Sequence, residues 1–150
     1  MTATSEPTLS TDAAETAESA APENVGGLSG HELLSRTAVV VVSYDSAALL
    51  ERTLARVAED SPEARIVVVD NYSTPAAREE LVALASSRGW EAVLPQTNTG
   101  FGGGMNLGAA RARELGADLL VLLNPDAVIA RADLIRLTAR AYADRSALVA

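Results

Sequence analysis

The chain has 150 residues, 48% of them hydrophobic and 21% charged, with a formal net charge of −8, which suits one domain with a core. It has no Cys, no Lys and a single His, His31. That excludes disulfides, thiolate zinc sites, P-loop lysines and Schiff-base chemistry, and weighs against a Ser-His-Asp triad. All 12 basic residues are Arg, set against 20 acidic ones, a balance opposed to sequence-independent nucleic-acid binding.

Residues 1–30 are built from Ala, Ser, Thr, Glu, Pro and Gly, with Glu6, Asp12, Glu15, Glu18 and Glu23 and no Arg. Such a composition buries too little apolar surface to offset chain entropy, so a disordered acidic extension is expected there, with one domain over 31–150. It has neither the basic start nor the apolar run of a secretory signal. No stretch approaches the roughly 20 apolar residues of a membrane span, so no transmembrane segment is expected.

From Thr37 the pattern alternates strand and helix. Ala38 to Val42 is a β-branched run, the mark of a strand buried on both faces. Leu50, Leu54, Val57 and Ala58 then fall on one helical face, and Asp45 or Ser46 would cap that helix. Ile66 to Val69 is a second buried strand. Thr74 caps a helix with Pro75 at its first position and Ala77, Leu81, Leu84 and Ala85 as its buried stripe. Gly89 ends it, and Glu91 to Leu94 is a short third strand. A helix is expected from Asn106 to Gly116, with a small face of Gly108 and Ala112. Leu119 to Leu123 is a fourth strand, residues 131–143 a further helix, and Ala147 to Val149 the start of a fifth strand. This alternation predicts an α/β fold: a parallel, doubly wound, Rossmann-like sheet, incomplete at the C-terminus.

Ligands of such sheets bind outside the carboxyl ends of the strands. Those ends read Ser43-Tyr44-Asp45, Asp70-Asn71, the stretch Asn98 to Asn106, and Asn124-Pro125-Asp126. The third holds Gly100, Gly102, Gly103 and Gly104 and is read as a loop feeding a helix N-terminus. Backbone amides there, with the helix dipole, make a seat for an anion such as phosphate. A dinucleotide fingerprint fails, because position 105 is Met and the glycines follow the third strand, not the first. Asn124-Pro125-Asp126 alone is a good turn; opposite a phosphate seat, Asn124 and Asp126 on that Pro corner suit a divalent cation that keeps waters and shares phosphate oxygens. Asp70 can accept a hydrogen bond from a base N–H or a ribose hydroxyl, or else simply close a turn. Tyr44 can stack on a base.

Together these segments resemble the inverting glycosyltransferases of family 2, which have the A-type nucleotide-sugar (GT-A) fold. Val39 to Asp45 (VVVVSYD) looks like the family's first strand, with Asp45 where Asn is usual. Val67 to Ser73 (VVVDNYS) is similar to its Val-Asp-Asn-x-Ser, without the Asp-Gly that often follows. Asn98 to Gly108 (NTGFGGGMNLG) and Leu122 to Asp126 (LLNPD) resemble the glycine motif and metal motif of its rhamnosyltransferase-like members. The resemblance implies that Ser43, Tyr44, Asp70, Asn98, Gly100, Gly102, Gly103, Asn106 and Asn124 meet the nucleotide-sugar. Asp70 would take the nucleobase, Asn124 the ribose side, and Asp126 a divalent metal, Mg²⁺ or Mn²⁺, on the diphosphate.

It further implies a donor such as dTDP-rhamnose or a UDP-sugar and an acceptor that is a glycan or lipid-linked. The setting would be cell-wall or polysaccharide synthesis, in the cytoplasm or at the inner face of the membrane. The family's acceptor half and catalytic carboxylate lie beyond the metal motif, so this chain corresponds to the donor-binding half. A nucleotidyltransferase, or a non-catalytic nucleotide-sugar binding module, are the alternatives.

Overall fold

The computed structural model describes residues 24, 25 and 27–144. In chain order the elements are β1 (Asn24–Val25), β2 (Leu28–Ser29), α1 (Gly30–Ser35), β3 (Thr37–Ser43), α2 (Ala47–Arg52), α3 (Leu54–Asp60) and β4 (Arg65–Asp70). They continue with α4 (Pro75–Arg88), β5 (Glu91–Val93), α5 (Gly100–Glu114), β6 (Leu119–Leu123) and α6 (Arg131–Ala143). Four strands form one sheet in the order β5-β4-β3-β6, and every pairing in it is parallel. Strand β3 is buried along its whole length, as its unbroken β-branched run requires.

Alternation along the strands makes two cores. Val39, Val41 and Val68 pack with Leu50, Leu54, Leu81 and Leu134 on one face, while Val40, Val42, Val67 and Val69 pack with Met105 and Ala112 on the other. The chain runs from β3 to β4 to β5 with α2, α3 and α4 on the first face. It then crosses back through α5 on the second face to place β6 beside β3. The winding reverses there, so the expected ligand crevice lies between the carboxyl ends of β3 and β6.

Several elements depart from the sequence reading. The helix after β3 is broken at Thr53, whose hydroxyl donates to Leu49 O (3.0 Å) and to Pro125 O (2.7 Å). Bonding back to the preceding turn bends a helix, and the second bond ties the bend to the turn after β6. Ser46 occupies the N-cap of α2, yet its hydroxyl meets Ser43 Oγ (2.8 Å) and caps nothing. Helix α5 begins at Gly100, six residues ahead of Asn106. Within the stretch 1–30, the described residues form the antiparallel pair β1–β2 and the start of α1. Ser29 and Glu32 close a capping box there. The remaining residues of that stretch, and the fifth strand at 147–149, lie outside the described residues.

One ion pair fastens α6 to the turn before β4. Arg131 grips Glu63 at both carboxylate oxygens (2.6 and 2.7 Å) and also donates to Asp60 O (3.1 Å). The hydrogen bonds from Arg131 lower the Glu63 carboxyl to about 2 against the opposing effect of burial. Its contribution to stability is therefore fully present above the ordinary pKa of 4.5 and is lost as pH falls toward 2. Arg131 is partly exposed, so solvent screening limits this to about 1–2 kcal/mol. Glu63→Gln should lose that amount at pH 7 and no longer lose it between pH 4.5 and 2 in urea titrations. An unchanged acid slope in that window would contradict the assignment.

Candidate functional site

At the end of β3, Ser43 is buried, paired in register with Asp70, and its carbonyl accepts from Asn71 N (2.7 Å). Its hydroxyl is engaged by Ser46 (2.8 Å), so Ser43 contributes rigidity to the rim. Tyr44 follows with 59% of its surface exposed, and Asp45 turns the chain at a φ of 50°.

Asp70 closes β4 at only 2% exposure. Arg78, one turn into α4, lies against it with Nε 2.5 Å from Oδ2. Nη2 of Arg78 donates to Pro95 O, in the chain leaving β5, and the guanidinium sits 4.6 Å over the Tyr72 ring. Residue spacing did not single out Arg78. It reaches the site because Thr74 caps α4 directly at the rim, so the helix's first turn overhangs the end of β4. Nearby, the Ser73 hydroxyl oxygen is buried without a partner among the described residues.

The glycine-rich segment is helix, not loop. Asn71 Oδ1 accepts from Thr99 N (3.0 Å) and Asn98 Oδ1 from Gly100 N (2.8 Å), anchoring the start of α5 to β4. Gly100 takes a left-handed φ of 73°. The amides of Phe101 and Gly102 are the remaining first-turn donors that α-helix geometry leaves without intrahelical partners, Gly103 standing four residues after the N-cap Thr99, whose carbonyl takes the first intrahelical bond. These donors stand on the first turn of a helix, at residues 101 and 102, and not on a loop running to 106, a placement that suits an anion. Glycine is required deeper in the helix for another reason. A Cβ at Gly104 would lie 2.9 Å from Val42 Cγ2, and one at Gly108 would lie 2.3 Å from Val40 Cγ1. Close packing on the sheet outweighs the poor helix propensity of glycine. Asn106 is exposed about 9 Å along α5 from its start. The structure does not bring it to the rim with the others.

Across the crevice, Asn124 O accepts from Ala127 N (3.1 Å) in a turn that presents Asn124 and Asp126 at the surface. The bond from Thr53 to Pro125 O holds this turn to the α2–α3 bend. No group of three or more His, Cys, Asp or Glu gathers among the described residues. A cation at Asp126 would therefore have one protein carboxylate and take its remaining ligands from phosphate oxygens and water. That donor set suits Mg²⁺ or Mn²⁺. Arg78 is matched by Asp70, and Arg111 is committed to Glu91 (2.8 Å) and Glu114 (3.0 Å).

A separate groove of about 630 Å³, lined by Arg65, Arg88, Trp90 and Glu91 among others, opens at the amino ends of β4 and β5. Its Arg88 and Glu91 are spent on Glu59 and Arg111, and it lies at the edge opposite the strand ends where such sheets bind ligands. No helix among the described residues is long and apolar enough to cross a membrane.

Residues 38–150 match the family model described as Glycosyl transferase family 2. Among solved structures, the chain is similar to the mannosyltransferase PcManGT from Pyrobaculum calidifontis in complex with GDP-Man and Mn²⁺. That likeness has 23% identity and a TM-score of 0.58, over 71% of this chain and 32% of that one. It is also similar to S. aureus TarS 1-349, at 20% identity and a TM-score of 0.54, with 71% and 32% covered. A comparison with curated proteins finds no match. The chain spans about a third of the length of these two structures, and at such identities the likeness shows the fold, the GT-A arrangement.

Proposed function

Because the chain belongs to glycosyl transferase family 2, we propose that it is the donor-binding half of an inverting glycosyltransferase that draws its sugar from a nucleotide-diphospho-sugar. The observation carrying this reading is the crevice itself. A buried carboxylate at the end of β4, a helix N-terminus, and an exposed carboxylate after β6 line one rim at the switch point. The GDP-Man and Mn²⁺ in the similar mannosyltransferase structure support a nucleotide-sugar and a divalent metal.

In this reading Asp70 accepts a hydrogen bond from the nucleobase, Tyr44 stacks on it, and Asn124 meets the ribose. Amides at Phe101 and Gly102, set up by Asn98 and Gly100, face the diphosphate, where negative charge grows as the sugar departs. Asp126 would hold the divalent cation, which when bound would supply Lewis-acid charge at the leaving diphosphate. An acceptor hydroxyl attacks the sugar C1 as the bond from C1 to the diphosphate breaks, inverting the anomeric centre. The hydroxyl proton passes to a carboxylate base that we assign to the acceptor-binding half. The donor is dTDP-rhamnose or a UDP-sugar, and the acceptor a glycan or lipid-linked saccharide at the cytoplasmic face of a membrane. Residues 31–150 constitute this unit together with the β1–β2 pair and Gly30, which opens α1, the rest of 1–30 being an acidic extension.

Asp70→Ala tests the nucleoside end. Calorimetric affinity for nucleotide-diphospho-sugars should fall about tenfold or more, the scale of one lost charged hydrogen bond. Wild-type binding matched by the variant would reduce Asp70 to a turn residue.

A further inference from the structure

We propose that Tyr72 and Ser73 form a strained bridge that turns when a nucleotide binds and presents the Ser73 hydroxyl to it. The inference rests on the reading of this rim as a nucleotide-sugar site. The bridge leaves the carboxyl end of β4 and is clamped on either side. Before it, Asn71 N donates to Ser43 O (2.7 Å) and Asn71 Oδ1 accepts from Thr99 N (3.0 Å), tying the chain to β3 and to the start of α5. After it, Thr74 Oγ1 accepts from Ala77 N (3.1 Å) and fixes the cap of α4. Tyr72 is pinned by its ring as well, with the Arg78 guanidinium 4.6 Å from the ring centroid. Only two residues span the gap between the clamps.

Both residues carry a cost. Tyr72 has a φ of 33°, a left-handed backbone that glycine takes freely and a bulky aromatic residue rarely takes. Asp45, the other non-glycine residue at positive φ among the described residues, is of a type that tolerates it. The Ser73 hydroxyl oxygen is buried and meets no partner among the described residues. A buried hydroxyl left unpaired destabilises the chain, because it has given up water and gained nothing in return. Strain and an orphaned polar group in consecutive residues persist because the clamps dictate them, and such outliers gather where ligands are handled. Turning the bridge about Tyr72 relaxes the backbone and frees the hydroxyl together. A hydroxyl unpaired in one state and bonded to the nucleotide in the other supplies the differential affinity that a ligand-driven change requires.

Thermal melts and calorimetric titration of the 150-residue chain with UDP and GDP in excess Mn²⁺ test this. Ser73→Ala should melt about 2–4 °C above wild type, since it removes an unpaired buried hydroxyl. It should also bind nucleotide about three- to tenfold more weakly, the scale of one lost hydrogen bond. Ser61→Ala is the control. Its hydroxyl is likewise buried without a partner among the described residues, but it stands at the C-cap of α3, just ahead of β4 and at the opposite end of the sheet from the rim. It should gain stability and keep wild-type affinity. With 3-fluorotyrosine at the chain's three tyrosines, the Tyr72 fluorine signal, identified by its loss in Tyr72→Phe, should shift on saturation with nucleotide. Wild-type affinity in Ser73→Ala, a lowered melting temperature in Ser73→Ala, or an unmoved Tyr72 signal overturns the bridge alone. A wild-type chain that binds neither nucleotide overturns the nucleotide-sugar reading as well.

Discussion

Gly108→Val is expected to cost more than about 3 kcal/mol of stability, and Gly108→Ala about 1–2 kcal/mol, although both substitutions remove a poor helix former. A Cβ at 108 would stand 2.3 Å from Val40 Cγ1 and 2.9 Å from Val69 Cγ2. Val40 and Val69 are fully buried, on two central strands, and β-branched side chains have little rotamer freedom with which to yield. Helix α5 must then lift from the sheet, opening the core formed by Val40, Val42, Val69 and Met105. Gly102 is the control. It lies in the same helix, but a Cβ there meets nothing within 4 Å, so Gly102→Ala should stabilise by about 0.5–1 kcal/mol. Urea unfolding of the three variants reads the difference. Gly108→Ala at or above wild-type stability would contradict the close approach of α5 to β3.

That pair of glycines also shows why the sheet was legible in the sequence and the start of α5 was not. The runs Val39–Val42 and Val67–Val69 read as buried strands and are buried, while β6 has the bounds its apolar run implies but is buried only at Leu119. Helix α6 likewise spans 131–143 as its periodicity predicts, and Thr74, Pro75 and Gly89 bound α4 as their backbone preferences dictate. Four glycines in five residues, by contrast, read as loop on local propensity alone. Of these, Gly104 is explained by the close approach of α5 to Val42, as Gly108 farther along is by Val40 and Val69, and that distance is tertiary. The break at Thr53 has the same character, since the bond to Pro125 O links residues 72 positions apart. Arg78 escaped for a related reason. Its partner Asp70 is eight residues away, across a strand end, a turn and a helix cap, a separation with no periodicity to read. The capping box at Ser29 and Glu32 was readable, but it lay inside a stretch whose composition argued for disorder.

Asp126→Asn is expected to remove the metal-dependent part of donor affinity, about tenfold or more, with stability within about 0.5 kcal/mol of wild type. The substitution keeps the size of an exposed side chain on a turn held by backbone bonds through Asn124 O and Pro125 O, so the fold has no reason to respond. What changes is charge. On the proposed reading, the donor's diphosphate would bring two formal negative charges to a rim whose nearby guanidinium, Arg78, is already matched by Asp70. The first-turn amides of α5 offer only dipoles. A divalent cation at Asp126 would supply the balance, whereas Asn124, an amide, would be the weaker ligand and its loss should matter less. The deciding measurement is calorimetric titration of a nucleotide-diphospho-sugar into the wild-type chain, with excess Mn²⁺ and again with chelator, beside Asp126→Asn. Saturable binding that strengthens with Mn²⁺ in wild type but not in Asp126→Asn is the expected result. A wild-type chain that binds no nucleotide-diphospho-sugar under either condition would contradict the donor-binding assignment.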